Sequence, residues 1–258
     1  MLENSFIFLE RVGTARELSF WRDGILSWGE FVDRERIRGM SGKAKASADE
    51  ALVIATARLQ EGDARYFASL LRSKDQWRCF EEFRGGALYL DIETTGTSNR
   101  APITIVGVYD GRRMHTLVRG HNLVPESLSA LLEPARMLVT FNGAAFDVPM
   151  LESQFPGAVP DIPHLDLKHL LRRLGHTGGL KAIERDMGIE RDLRIQYLTG
   201  QDAVYLWRLW QRKGSWNALE TLKEYNAEDC RNLETIADIA CGRMKRKLMG
   251  GASTSAKV

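Results

Sequence analysis

The sequence predicts a mixed α/β fold, a sheet flanked by helices, behind a smaller helical region that spans residues 1–84. Strand-like apolar runs fall at 87–92, 102–109, 114–118 and 136–141, and Asp110-Gly111 between the second and third is a hairpin signal. A helical run, Pro125–Leu132, separates the third from the fourth, and the later apolar residues recur at spacings of three and four, which supplies helices to cover the sheet.

In "FLERVGTARELSFWRDGILSWGEFVD" the residues Leu9, Val12, Leu18, Trp21, Ile25, Trp28 and Phe31 form a helical-hairpin-like pattern broken at Gly13 and Gly24, with Trp21, Trp28 and Phe31 as core. The following "GMSGKAKASADE" reads as a linker. The segment "RVGTARE…WRDGI" looks weakly like a helix-hairpin-helix element, whose glycine turn can bring backbone N–H groups to phosphate; packing or docking is the other reading. Residues 85–248 form the second region. At the end, "GRMKRKLMGGASTSAKV" passes from a helical pattern into small and polar residues, so 249–258 is expected to be a disordered tail.

Within the second region, Asp91 and Glu93 stand two residues apart at the end of an apolar run, and a strand places residues i and i+2 on one face. Such a pair presents two hard oxygen ligands to one site, the type that magnesium or manganese favours. Taken alone, an acidic pair at a strand end is also an ordinary solvated turn. In "RMLVTFNGAAFDVPML" a strand-like run ends at Asn142-Gly143, and Asp147 opens a helix in which Phe146, Met150 and Leu151 recur. In "LKEYNAEDCRNLETIADIA", Leu222, Tyr225, Asp229, Leu233 and Ile236 share a helical face, so Tyr225 and Asp229 lie one turn apart among apolar neighbours.

The three segments, Asp91 to Gly96, Phe141 to Asp147 and Tyr225 to Asp229, together resemble the DnaQ-like 3′–5′ exonucleases of the RNase H-like superfamily, in the subtype with four acids and a tyrosine and nearest the branch related to YprB. Spacing fits as well, with 56 positions from Asp91 to Asp147 and 78 from Asp147 to Tyr225. The histidine subtype carries His five residues before the last acid, where this chain has Glu224, and no histidine follows His176. One departure is Ala145, where similar motifs often carry Asn.

The resemblance implies an RNase H-like fold and hydrolysis of single-stranded DNA from the 3′ end, with two ions, Mg2+ or Mn2+, held by Asp91, Glu93, Asp147 and Asp229. It implies that Asp91 bridges the two ions and that Asp147 acts through a coordinated water. Tyr225, with an ordinary phenol pKa near 10, is a poor base at neutral pH and is expected to orient water or phosphate. Thr94, Thr95 and Gly96 are expected to contact the terminal nucleotide, and Asn142 either caps the helix of Asp147 or reaches the substrate. Asp166 reads as the cap of the next helix. Lys181, one turn before Arg185, is a candidate phosphate contact, as are Lys168, Arg172 and Arg173. Trp207 and Trp210 read as core. An RNase D-like enzyme that trims RNA shares every one of these residues, and a catalytically idle nucleic-acid-binding module is the rival from another class.

Composition sets the outer bounds. With 258 residues, 44% of them hydrophobic, the chain can bury a sizeable core. A formal charge of +2 does not announce a nucleic-acid protein, so affinity is expected from a local groove. Cys79, Cys230 and Cys241 show no Cys-x-x-Cys spacing, which argues against a disulfide framework or a zinc cluster. No basic-then-apolar signal pattern and no apolar stretch of about 18 residues is present, so the expected location is cytoplasmic, without a membrane partner.

Overall fold

This computed structural model of the chain describes residues 1–96, 98 and 100–253, the last three by their backbone only. Five α-helices precede the sheet: α1 (Thr14–Arg22), α2 (Trp28–Val32), α3 (Gly42–Gln60), α4 (Ala64–Leu70) and α5 (Phe80–Phe83). There follow β1 (Ala87–Thr94), β2 (Ile103–Tyr109), β3 (Met114–Val118), α6 (Pro125–Leu132), β4 (Met137–Thr140), α7 (Asp147–Gln154) and β5 (His164–Asp166). The last helices are α8 (Leu167–Arg173), α9 (Leu180–Met187), α10 (Gly200–Lys213) and α11 (Trp216–Ser253). The sheet runs β3-β2-β1-β4-β5, antiparallel on the β2 side of β1 and parallel on the β4 side. It is the mixed α/β architecture that the sequence predicts; β5, three residues long, is too short for any period to show.

Both faces of the sheet are covered, and β1 divides its side chains between them. Ala87 and Tyr89 enter one apolar cluster, shared with Phe20, Trp28, Phe31 and Phe67 of the N-terminal region and with Leu233 and Ile236 of α11. Leu88, Leu90 and Ile92 enter another, closed by Leu128 and Leu132 of α6 and by Met150 and Leu151 of α7. The period of two along the strand is therefore the partition between two cores. The first core is continuous from the N-terminal helices into the sheet.

Three local expectations for the ends and joints are corrected. Residues 42–50 are not a linker but the start of α3: Ser41 accepts a hydrogen bond from the Ala44 N–H, and Lys45, Ala48, Leu52 and Ala55 form its buried side. Ala and Lys are strong helix formers, and that propensity outweighs the loop-like look of Gly and Ser. Leu9 and Val12 are buried but lie outside any helix, so Gly13 opens α1 instead of joining two helices. Finally, α11 continues through Ser253, so residues 249–253 are helical; 254–258 lie outside the described residues.

The N-terminal region is organised around a buried ion pair. Glu17 on α1 accepts from Arg78 through both carboxylate oxygens (2.8 and 3.1 Å) and from the Phe6 N–H (2.7 Å), and the two side chains are 0% and 1% exposed. Desolvation of two charges is offset only while both are present and hydrogen-bonded. Arg78→Met should therefore cost about 3–5 kcal/mol in equilibrium urea unfolding, because it strands the Glu17 carboxylate; a loss no larger than that of a surface substitution would refute this role.

Candidate active site

Strand pairing positions the first two acids. Asp91 and Glu93 stand opposite Gly107 and Ile105 of β2, on the face to which Tyr89 also points. On its other edge β1 pairs with β4 only from Ala87 to Tyr89, so its C-terminal half has lost that neighbour. Asp147, at the start of α7, takes the place of the missing strand: its Oδ1 accepts from the Ile92 N–H at 3.1 Å. A buried N–H left open at the sheet edge is thereby satisfied by an acid rather than by a carbonyl.

α11 crosses the face that carries Asp91 and Glu93. Its Asn226 donates from Nδ2 to the Asp91 carbonyl (3.1 Å) and to Asp91 Oδ2 (2.8 Å), fixing the helix against the strand. Such an approach requires a residue without a side chain beneath it: a Cβ on Gly107 would stand 1.9 Å from Asn226 Oδ1. With the helix held there, carboxylate oxygens of Asp91, Glu93 and Asp229 lie within 4.8 Å of one another.

Three carboxylates this close, with a fourth beside them, resist ionisation. Burial, then Asp229, Asp147 and Glu93, push Asp91 well above the usual carboxyl range; burial, Asp229 and Asp147 do the same to Glu93. Burial carries Asp147 to about 7 against the backbone hydrogen bonds that it accepts. Asp229 rises by burial only to about 6, because Arg191 favours its charged form. The donor set suits a divalent cation: hard carboxylate oxygens, largely buried, gathered at one point and destabilised by one another's charge.

Two cations flank the acids across the ring of Tyr225. Arg191 donates from Nε and Nη2 to the two oxygens of Glu184 (2.5 and 2.6 Å), and Nη2 also bonds to Asp229 Oδ1. Glu184, 1% exposed, accepts as well from Asn232 Nδ2 at 2.9 Å. Lys181 Nζ lies 4.6 Å from the Tyr225 ring centroid, buried and without a hydrogen-bond partner among the described residues. Its pKa is lowered by burial and by Arg191. Tyr225 itself is buried, and burial together with Asp229, Glu93 and Asp91 pushes its phenol above the ordinary value.

The structure thus brings together Asp91, Glu93, Asp147, Tyr225, Asp229 and Lys181. Thr94, Thr95 and Gly96 follow directly at the end of β1, where Thr94 Oγ1 donates to the Gly96 carbonyl (2.6 Å) and a Cβ on Gly96 would meet nothing. Asn142 does not cap α7; it turns the chain at φ +67, gives its N–H to Asp166 and accepts from Lys168 Nζ at 3.0 Å. Asp166 caps α8 through the Lys168 N–H and also accepts from Ala144, so one carboxylate holds the loop after β4. Arg185 is exposed, and Trp207 is core beside Leu219, Leu222 and Tyr225. The three cysteines are buried and unbridged.

Sequence reasoning missed Asn226, Gly107, Glu184 and Arg191. For Glu184 a signal exists: with Leu180, Ile183 and Met187 it occupies the buried stripe of α9, and an acid at an apolar position of the period demands a partner. Arg191, in the loop beyond, carries no such signal. Among the described residues no helix is long and apolar enough to cross a membrane.

A family model described as the RNase H superfamily matches residues 88–241. No curated protein gives a significant match. Among solved structures, one described as the apo form of the nuclease is similar at 22% identity and a TM-score of 0.49, over 72% of this chain and 84% of that one. The Nibbler EXO domain of Aedes aegypti is similar at 12% identity and a TM-score of 0.39, over 69% and 90%.

The electrostatics predict an inverted pH response in the metal-free protein. Asp229 and Asp147 hold their protons to about 6 and about 7, above ordinary carboxyl values, so the folded state binds protons that the unfolded chain releases. Stability from this source is complete below the unfolded carboxyl pKa near 4 and is lost as pH rises through about 6–7. In EDTA, thermal melts should show this decline, and Asp91→Asn should flatten it and melt about 2–4 °C higher near pH 8. Parallel pH profiles for the two proteins would contradict the account.

Proposed function

From the premise that the chain belongs to the RNase H superfamily, we propose that it is a divalent-metal-dependent 3′–5′ exonuclease that hydrolyses single-stranded DNA to nucleoside 5′-monophosphates. One observation carries this reading: the convergence of Asp91, Glu93 and Asp229 within 4.8 Å at the end of the central strand, with Asp147 and Tyr225 beside them.

A phosphodiester anion repels hydroxide, so its hydrolysis needs an ionised water, a neutralised phosphate and a stabilised 3′ oxygen. Asp91, Glu93, Asp147 and Asp229 are the residues that would hold two ions, Mg2+ or Mn2+, which when bound supply that water and that positive charge. The remaining tasks fall to the chain itself. Tyr225 keeps its proton, because burial and three neighbouring carboxylates oppose the phenolate. It therefore donates a hydrogen bond that orients the attacking water or the phosphate, and does not act as a base. Ile105, Val118 and Leu222 pack with Tyr225 and exclude bulk water from its ring side. Lys181, with no hydrogen-bond partner among the described residues, directs positive charge toward the same place. Thr94, Thr95 and Gly96 offer backbone groups and open space for a terminal nucleotide, and Asn142, paired with Lys168, is the further substrate contact in this reading.

End-labelled DNA and RNA oligomers of one sequence, single- and double-stranded, should show stepwise loss of mononucleotides from the 3′ end of single-stranded DNA, dependent on Mg2+ or Mn2+. Faster trimming of RNA would transfer the reading to an exoribonuclease, and no hydrolysis of either would refute it. Asp91→Asn and Asp147→Ala should abolish turnover with the fold retained. Tyr225→Phe should keep substrate affinity and lower single-turnover rates roughly 10- to 1,000-fold; an unchanged rate would leave Tyr225 with a packing role alone.

A further inference from the structure

Arg191 is the feature of this pocket that the chemistry above leaves unused. Its side chain is 5% exposed, and its guanidinium is gripped by Glu184 through two hydrogen bonds while a single one reaches Asp229. Glu184 is in turn held by Asn232 from α11, so Arg191 is anchored on the Glu184 side. Its Nη1 is buried with no hydrogen-bond partner among the described residues, and the guanidinium lies 6.0 Å from the centroid of the Tyr225 ring. The unpartnered Nη1 leaves this guanidinium one donor available beside the reacting groups.

Resting on the exonuclease reading, we propose that Arg191 is the resident counter-cation of the acidic centre: it occupies Asp229 in the metal-free protein, gives that carboxylate up when a divalent ion is taken, and then donates to the substrate phosphate. The weaker grip decides which partner moves. Asp229 turns away at the loss of one hydrogen bond, whereas withdrawal of Arg191 would break two and leave Glu184 charged and buried. Metal alone must therefore compete with Arg191 for Asp229. A phosphate that accepts from the released Nη2 and the free Nη1 removes that competition, so metal and phosphate favour one another's binding. The guanidinium fork matches a phosphate's oxygens in a way that an ammonium would not.

The test is calorimetric titration of the full chain with Mn2+, alone and with a nucleoside 5′-monophosphate, for the wild type and for Arg191→Met. Loss of the competitor should tighten binding of Mn2+ alone by roughly tenfold, the scale of one charge-assisted hydrogen bond, and should remove most of the enhancement that the nucleotide gives the wild type. A purely structural role would lower the melting temperature without tightening Mn2+ binding. Because Arg191→Met leaves Glu184 unpaired, the double variant Glu184→Gln/Arg191→Met, whose amide oxygen still accepts from Asn232, is measured in the same way. Unchanged or weaker Mn2+ affinity in a cooperatively melting variant overturns the proposal, as does a wild type whose Mn2+ affinity ignores the nucleotide. A wild type that binds Mn2+ and cleaves oligomers while the variants bind as it does sinks the role of Arg191 alone; a wild type that neither binds nor cleaves sinks the nuclease reading with it.

Discussion

Mutual repulsion among buried carboxylates at the end of β1 is the constraint on which the rest of this structure turns. Two unit charges about 4 Å apart at an effective dielectric near 20 repel by about 4 kcal/mol, and this centre gathers three carboxylates within 4.8 Å with Asp147 as a fourth neighbour. Nothing local favours that arrangement. It persists because Asp91 and Glu93 are side chains of a strand fixed by β2 along its length, with one core on each face. The same residues that make the centre competent to hold cations are those that strain it without them.

The N-terminal helices bear on this centre through α11. Tyr225, Asn226 and Asp229 lie on the first half of that helix, and the turns that follow them pack into the core shared with α1, α2 and α4 through Leu233, Ile236, Ala240 and Met244. Arg84 pairs with Asp238 at 2.8 Å, and Lys245 with Glu81 at 2.7 Å, at the same end. A helix pinned over its distal turns delivers its proximal residues at a fixed height above the sheet, and the Asn226–Asp91 bonds depend on that height. The region ahead of β1 thus supports the geometry of the acids without contributing one of them.

How far the sequence could be read follows the range of each interaction. Asp91 with Glu93, and Tyr225 with Asp229, are pairs whose relative placement is set by the period of one element, so they were legible as pairs. The first four strands and α6 were legible for the same reason. Of the two readings of Asn142 the helix cap fails, because a cap and a turn share residue preferences and only the distant carboxylate of Asp166 decides between them. Residues 42–50 were misread because Gly and Ser look loop-like until Ser41 is seen to cap and Leu52 to face a core formed by other helices. Arg191 reaches Asp229 across 38 residues and Glu184 meets Asn232 across 48, and nothing local in the sequence encodes either meeting.

The occupant of the ring position follows from charge. Five carboxylates, Asp91, Glu93, Asp147, Glu184 and Asp229, face two cations, Lys181 and Arg191, so the pocket is negative when all are ionised and repels a phosphodiester until further positive charge enters. A side chain between these groups that could itself become a cation would be drawn into that charge balance: an imidazole among so many carboxylates would hold its proton well above its ordinary pKa. A phenol takes no such part. It presents a π face to Lys181 and Arg191 at 4.6 and 6.0 Å, an interaction that a protonated imidazole would turn into repulsion. The surrounding carboxylates lock its hydroxyl in the donor form. Tyrosine is in this sense the residue that the two cations select, and the cations are what the acids, crowded at the end of one strand, require.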